Sequence, residues 1–409
     1  MKWEKVRLGD VCIKIGSGST PKGGSKVYVK NGIAFIRSQN VYNLFFDYNG
    51  LVYINDKCAE QLKNVSVEKF DVLLNITGDS VARTCIIPTN VIPARVSQHV
   101  SIIRPIKNVL NPFFLNYYLA TPFMQSFMLS LAVGKGASRN ALTKNIISNF
   151  EIPCPTIDIQ NRIVNILSAY DGLIENNQKQ IKLLEEAARR LYKEWFVNLR
   201  FPGYEKTPII DGVPEGWKKY RISEIGKVVT GKTPSTEKEE YYGKEIPFVK
   251  IPDMYNGIYS IVTETSLTKE GADTQKSKYI PANSIMVSCI ATVGLVNISV
   301  NVCQTNQQIN TIILNQQEDL YYIYFTMKRL KTLLEGVGSN GATMTNVNKT
   351  KFENLEILYP IKELRKKYFC FCYPIFKKIY DLSMNNIFLS QARDCLLPKL
   401  MSGELEVQL

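Results

Sequence analysis

The stretch Ile163-Val-Asn-Ile-Leu-Ser-Ala-Tyr-Asp-Gly-Leu-Ile-Glu-Asn-Asn177-Gln-Lys-Gln-Ile-Lys-Leu-Leu184 decides how the chain is built. Apolar side chains recur at Ile163, Leu167, Tyr170, Ile174, Ile181, Leu184, Ala188, Leu191 and Trp195, alternating by four and three once the polar Asn177 is included. That is a heptad seam, and a seam of this length demands a long partner helix. Asn177 lies in the seam itself, where a polar side chain costs stability but can fix register.

A partner is written further on. Tyr368, Cys372, Ile375, Ile379, Leu382, Asn386, Leu389, Leu396 and Leu400 repeat the spacing, with Asn386 near the position that Asn177 takes and Arg393 breaking the apolar series. Pro374 is expected to kink or interrupt this second helix, because it removes a donor and crowds the preceding turn. A chain that must return between the two favours an antiparallel pair, with two separately packed helices as the alternative.

Each long helix closes a unit that occurs twice. Val6-Arg-Leu-Gly-Asp-Val11 is echoed by Tyr220-Arg-Ile-Ser-Glu-Ile225, and Gly18-Ser-Thr-Pro21 by Gly231-Lys-Thr-Pro234. Gly32-Ile-Ala-Phe-Ile-Arg37 lines up with Glu245-Ile-Pro-Phe-Val-Lys250 at an offset of 213, and the register persists into Asp71-Val-Leu-Leu-Asn-Ile-Thr-Gly78 and Ser284-Ile-Met-Val-Ser-Cys-Ile-Ala291. It slips to 205 where Gly136-Ala-Ser-Arg-Asn-Ala-Leu142 meets Gly341-Ala-Thr-Met-Thr-Asn-Val347, as expected of a shared scaffold with different loops. The runs at 33–36, 72–76, 246–249 and 285–290 are apolar or β-branched and bounded by turn residues, so the units read as mostly sheet. A shorter helical stretch is predicted in each, at 113–131 and 320–334.

The chain has 409 residues, 45% of them hydrophobic, enough for two cores or more. Fifty Lys and Arg against 37 Asp and Glu give a net charge of +13, which favours an anionic partner such as nucleic acid. No run approaches 18 apolar residues and the first residues lack the apolar stretch of a signal peptide, so a soluble cytoplasmic protein without membrane contact is expected. Nine scattered Cys suggest neither a disulfide framework nor a zinc knuckle.

Several catalytic readings fail on their context. Gly226-Lys-Val-Val-Thr-Gly-Lys-Thr fits the letters of a phosphate-binding loop, but its strand-like residues lie inside the motif and Pro234 follows where a helix should begin. The single histidine, His99, excludes His-rich metal centres and two-imidazole relays, and its setting reads as a strand or strand edge with a structural role. Asn111-Pro-Phe-Phe114 comes close to an adenine-holding Asn-Pro-Pro-aromatic motif but lacks the second Pro. Its counterpart Gln317-Glu-Asp-Leu320 keeps nothing of it, so a helix-starting turn is the better reading.

The order of motifs resembles the specificity subunits of Type I restriction-modification systems over nearly the whole chain. Trp3-Glu-Lys-Val-Arg-Leu-Gly-Asp10, its echo Gly216-Trp-Lys-Lys-Tyr-Arg-Ile222, the two Gly-x-Thr-Pro sequences, Phe35-Ile-Arg-Ser38, Pro155-Thr-Ile-Asp-Ile-Gln-Asn-Arg-Ile163 and Leu396-Leu-Pro-Lys-Leu-Met-Ser-Gly-Glu-Leu405 carry it. The resemblance implies an α+β fold of two duplicated β-rich target-recognition domains separated by two long antiparallel coiled-coil helices. The expected boundaries are 1–158 for the first recognition domain, 159–198 for the first helix, 199–213 for a linker, 214–363 for the second domain and 364–402 for the second helix. It also implies double-stranded DNA as a partner, two modification (methyltransferase) subunits, restriction/translocase subunits, and no catalysis by this chain. S-adenosylmethionine, ATP and Mg are expected in those partners and no cofactor or metal here. The run Tyr368-Phe-Cys-Phe-Cys372 and Pro374 depart from the family's smoother helix.

A helix of about 35 residues is on the order of 50 Å long. Basic units held at its ends would suit two stretches of duplex roughly 15 bp apart, and unequal units predict an asymmetric, bipartite target. Candidates for DNA contact are Arg37, Ser38, Gln39, Asn40 and Arg83 in the first unit, with Lys250, Lys276, Lys278, Asn306, Gln307 and Gln308 in the second. Arg, Asn and Gln match base edges, and Lys and Ser suit phosphates. Tyr28, Tyr42, Tyr241 and Tyr242 could approach bases or cover a core. Two rival classes are a self-contained methyltransferase or restriction enzyme, which purified chain would reveal by methyl transfer, and an adaptor with no sequence preference.

Overall fold

The computed structural model describes residues 3–132, 141–338 and 346–407, so most of the 136–142 and 341–347 landmarks lies outside the described residues. The chain divides into two compact units, Met1–Glu175 with Ile387–Leu409, and Asn176–Asn386. The long helices Ile157–Tyr192 and Lys362–Ser402 each contribute residues to both.

The first unit holds two four-stranded sheets. One runs Ala94–Val96, Ile33–Ile36, Val52–Ile54, Tyr28–Val29, with its first two strands parallel; the other runs Cys12–Ser17, Val100–Pro105, Val72–Asn75, Thr84–Ile86, all antiparallel. Val72-Leu-Leu-Asn75 is buried at every position, as an apolar run covered on both faces should be. Its side chains alternate between two cores. Leu73 joins Phe35, Ile36 and Ile54, whereas Val72 and Leu74 join Phe114, Leu115 and Ile163.

The second unit repeats this order. Its sheets run Gly226–Thr230, Ile309–Leu314, Ile285–Ser288, Val296–Ser299, Tyr259–Ser260, and Gln304–Thr305, Ile246–Val249, Thr265–Leu267, Tyr242–Gly243. Gly226 to Thr230 pairs along its length with the 310–314 strand, which leaves no strand-turn-helix for phosphate. Asn111 caps the helix Pro112–Leu119 by accepting from the amides of Phe113 and Phe114, and the 3-10 turn Gln317–Asp319 leads into the helix Leu320–Arg329. Both predicted helical stretches break in two, at Thr121 and Leu330.

Within each unit the long helices run antiparallel. In the first, Ile163, Val164 and Leu167 share a core with Leu397, Leu400 and Met401, and Arg393 Nη1 lies 2.6 Å from Asp171 Oδ1. In the second, Asn177 Nδ2 donates to Asn386 Oδ1 at 2.9 Å and Tyr368 Oη donates to the carbonyl of Ala188 at 2.9 Å. Rising numbers on one helix meet falling numbers on the other. Of the seam positions, Ile163, Leu167, Asn177, Ile379 and Leu382 are buried; Tyr170, Ile174, Ile181, Leu184, Leu191, Asn386, Leu389 and Leu396 are half-buried. Arg393 breaks the apolar series because it binds Asp171, whose other oxygen accepts from Tyr117 Oη.

Two expectations are corrected. Tyr192 and Phe196 are the buried side chains where the heptad placed Leu191 and Trp195; the wider π turn Lys193–Val197 follows directly and accompanies this change of register. Pro374 does not interrupt the second helix, which is continuous from Lys362 to Ser402. Pro374 is exposed, while Tyr368, Cys372 and Phe376 around it are buried, so packing of the opposite face outweighs the lost backbone bond.

Candidate nucleic-acid interface

In the first unit the strand Ile33–Ile36 runs into the 3-10 turn Ser38–Asn40. The turn is held from beneath by Asn40, which is fully buried: its Oδ1 accepts from the amide of Arg37 at 3.0 Å and its Nδ2 donates to the carbonyls of Asp47 (2.9 Å) and Asn49 (3.3 Å). Asn75 Nδ2 adds a bond to the carbonyl of Ser38 at 2.8 Å. Asn40 thus belongs to the support of the turn, with its amide fully engaged. Arg37 donates from Nη2 to the carbonyl of Gly50 at 2.6 Å and lies over the Tyr28 ring.

A second turn, between the strands Val72–Asn75 and Thr84–Ile86, faces it. The amides of Ala82 and Asn75 bond to the carbonyls of Asn75 and Arg83, with Ala82 at φ 73°. The third wall is Gln98-His99: Thr77 Oγ1 and His99 Nδ1 are 2.6 Å apart, and Gln98 Nε2 lies 3.4 Å from His99 Nε2. Together Ser38, Gln39, Tyr42, Thr77, Gly78, Asp79, Ser80, Arg83, Gln98 and His99 line an open cavity of about 870 Å³. Arg83 stacks its guanidinium on the Tyr42 ring, 4.5 Å from the centroid.

The second unit reproduces the main-chain bonds of this frame. The amide of Lys250 donates to Asp253 Oδ2 at 2.8 Å, as Arg37 does to Asn40. Gly294 (φ 85°) and Leu295 take the places of Ala82 and Arg83, bonded to Ser288 as those are to Asn75. The amide of Cys289 meets the carbonyl of Gln308 as that of Ile76 meets His99. The repeated Gly-x-Thr-Pro sequences serve the same wall: a Cβ at Gly18 would fall 2.1 Å from the carbonyl oxygen of Val96, and one at Gly231 2.2 Å from that of Asn306. Thr20 Oγ1 then accepts from the amide of Gln98 at 3.5 Å, and Thr233 Oγ1 donates to Gln307 Oε1 at 2.7 Å.

The side chains at the rim differ. Tyr255, 62% exposed, stands at the place of Tyr42, with its hydroxyl 3.5 Å from Thr292. Asn306 Nδ2 donates to Gln308 Oε1 at 2.8 Å and is itself buried, so the Asn306–Gln308 cluster is braced internally while Gln307 is exposed. Lys250 Nζ lies 4.0 Å from Glu264. Lys276 and Lys278 stand apart on a 3-10 turn, which the neighbouring Gln275 ties to Gln304 at 2.7 Å. Sequence reasoning selected Ser38, Gln39 and Arg83 of the first cavity, left Tyr42 open and read His99 as structural, but passed over Thr77 and Asp79. The turn that carries Thr77 and Asp79 has Gly78 at φ 73°, and Ala291 holds the equivalent place in the second unit at φ 62°.

The family model described as the Type I restriction modification DNA specificity domain matches residues 1–186 and 214–375. The chain is similar to the Type I restriction enzyme HindI specificity subunit of Haemophilus influenzae, 28% identical over 464 residues, covering 98% of this chain and 99% of that one. It is also similar to the Type I restriction enzyme MjaIX specificity subunit of Methanocaldococcus jannaschii, 26% identical over 419 residues, covering 99% and 94%. Among solved structures, the S subunit of a Type-I restriction-modification system from M. genitalium shares the fold, with a TM-score of 0.58, 13% identity and 99% and 97% of the two chains covered.

Proposed function

Because the chain belongs to the family of Type I restriction-modification specificity subunits, the non-catalytic components that recognise DNA sequence, we propose that its two units read the two halves of one asymmetric, interrupted target. The observation that carries this reading is one hydrogen-bonded frame built twice with different rim side chains: Arg83 against Leu295, His99 against Gln308, Gln39 against Pro252. Equal frames present side chains to a duplex in equivalent ways, and unequal side chains ask for different bases. The paired long helices set the gap between the two segments read. The chain positions two modification subunits, which supply S-adenosylmethionine chemistry at adenine, and restriction/translocase subunits that use ATP and Mg. No described helix is long and apolar enough to cross a membrane, and the site of action is cytoplasmic DNA.

The test is sequencing-based mapping of N6-methyladenine in cells carrying this chain with its neighbouring modification subunit, beside cells lacking this chain. One asymmetric motif with a fixed gap, present only with the chain, is the expected result. An active methyltransferase without any new motif would overturn the reading.

A further inference from the structure

The basic side chains of the first unit differ in how far the protein itself engages them. Arg37 donates to Gly50, Arg95 to the carbonyls of Ala59 and Ala94, and Arg104 to Asp71 and Glu68. The side chain of Arg83 makes no hydrogen bond or ion pair among the described residues, its main chain alone being bonded, to Asn75 and Ser80. It is nonetheless held, because its planar guanidinium lies on the Tyr42 ring at the edge of the cavity. An oriented fork with its donors unused is what bidentate recognition of a planar acceptor pair requires. Asp79 lines the same cavity without forming an ion pair to Arg83 among the described residues, so the cavity offers both a donor fork and an acceptor.

We propose that Arg83 is the side chain with which the first unit selects a guanine, donating two hydrogen bonds to O6 and N7 on its major-groove edge. Asp79 faces the complementary acceptor role, toward the amino group of the paired cytosine. The inference rests on the DNA-recognition reading above. It assigns the guanine to one half of the target only, since the equivalent Leu295 of the second unit is an apolar side chain packed on the core of Val249, Ile251 and Met254.

The decisive comparison is N6-methyladenine mapping with the wild-type chain and with Arg83→Gln. The variant is expected to lose roughly 10- to 100-fold discrimination at one position of one half-site. An unchanged second half would show that the complex still assembles. In parallel, the purified wild-type complex is presented with duplexes in which each guanine of its motif is replaced in turn by 7-deazaguanine, which lacks the N7 acceptor; one guanine in one half should weaken binding by a similar factor. This second measurement decides the matter even where Arg83→Gln yields no methylation. A motif untouched by Arg83→Gln, a uniform drop at every site as for a phosphate contact, or indifference to every 7-deazaguanine overturns the inference alone. A wild-type chain that specifies no motif beside an active methyltransferase overturns the DNA-recognition reading and this assignment with it.

Discussion

The strand that carries each rim turn is immediately preceded by Asp71 in the first unit and by Ser284 in the second. Asp71 is fully buried and accepts from Arg104, whose side chain is 17% exposed and which also binds Glu68. At the equivalent register the second unit has Ile313 in place of Arg104, and Ser284 makes neutral bonds to Ser299 and Pro281. The backbone pairing is the same in both. A frame of this kind tolerates an ionic or a neutral anchor below the strand and charged or apolar side chains above it, because main-chain bonds and the apolar core fix its shape.

This contrast is most severely tested by removing the anchors. Asp71→Ala leaves Arg104 without its buried carboxylate and is expected to cost the first unit about 3–5 kcal/mol, whereas Ser284→Ala should cost the second about 1 kcal/mol. Hydrogen exchange read separately on the strands 72–75 and 285–288 distinguishes the units, and equal losses would break the comparison. Of the two long helices, only the second carries internal prolines. Pro374→Ala should raise the unfolding free energy by about 1–3 kcal/mol, read in chemical unfolding, since the exposed proline contributes no packing and forfeits a backbone bond. No gain would mean that the helix geometry is already adapted to it.

The Asn177–Asn386 pair gives a smaller effect. Asn177→Leu alone should destabilise by about 1 kcal/mol by leaving Asn386 unpartnered, and adding Asn386→Leu should recover that loss or more. A double-mutant cycle in chemical unfolding measures the coupling, and additive effects would remove the pair's role in register. Smallest is Lys276→Ala, on the second unit's 3-10 turn Lys276–Lys278. It should lower the salt slope of DNA binding by about 1 and leave the methylated motif unchanged; a changed motif would move Lys276 from phosphate contact to base reading.

Much of the fold was legible because its signals are local. The seam through Ile163 and Leu167, the duplicated Phe35 and Phe248 strands and the paired Gly18 and Gly231 are short-range patterns with a direct cause in helix period, strand alternation or close backbone approach. The candidate site was legible only in part. Arg83 could be chosen by residue type, but its stacking on Tyr42 depends on two segments 41 residues apart. Asn40 reads as a base-reading amide until its three backbone partners are seen, and Arg393 reads as an interruption until Asp171 and Tyr117 meet it.

By itself the sequence determined that there are two units, that they are mostly sheet, that long amphipathic helices close them, and that the net charge favours an anionic partner. Periodicity, repetition and charge are sums over the chain and survive without coordinates. Tertiary structure alone decided which polar side chains are turned inward as supports and which stand free at the rim, where Tyr192 and Phe196 displace the heptad positions, and why Pro374 is tolerated. Those outcomes depend on partners distant in sequence, whose burial and hydrogen bonds outweigh the local preference of any single residue.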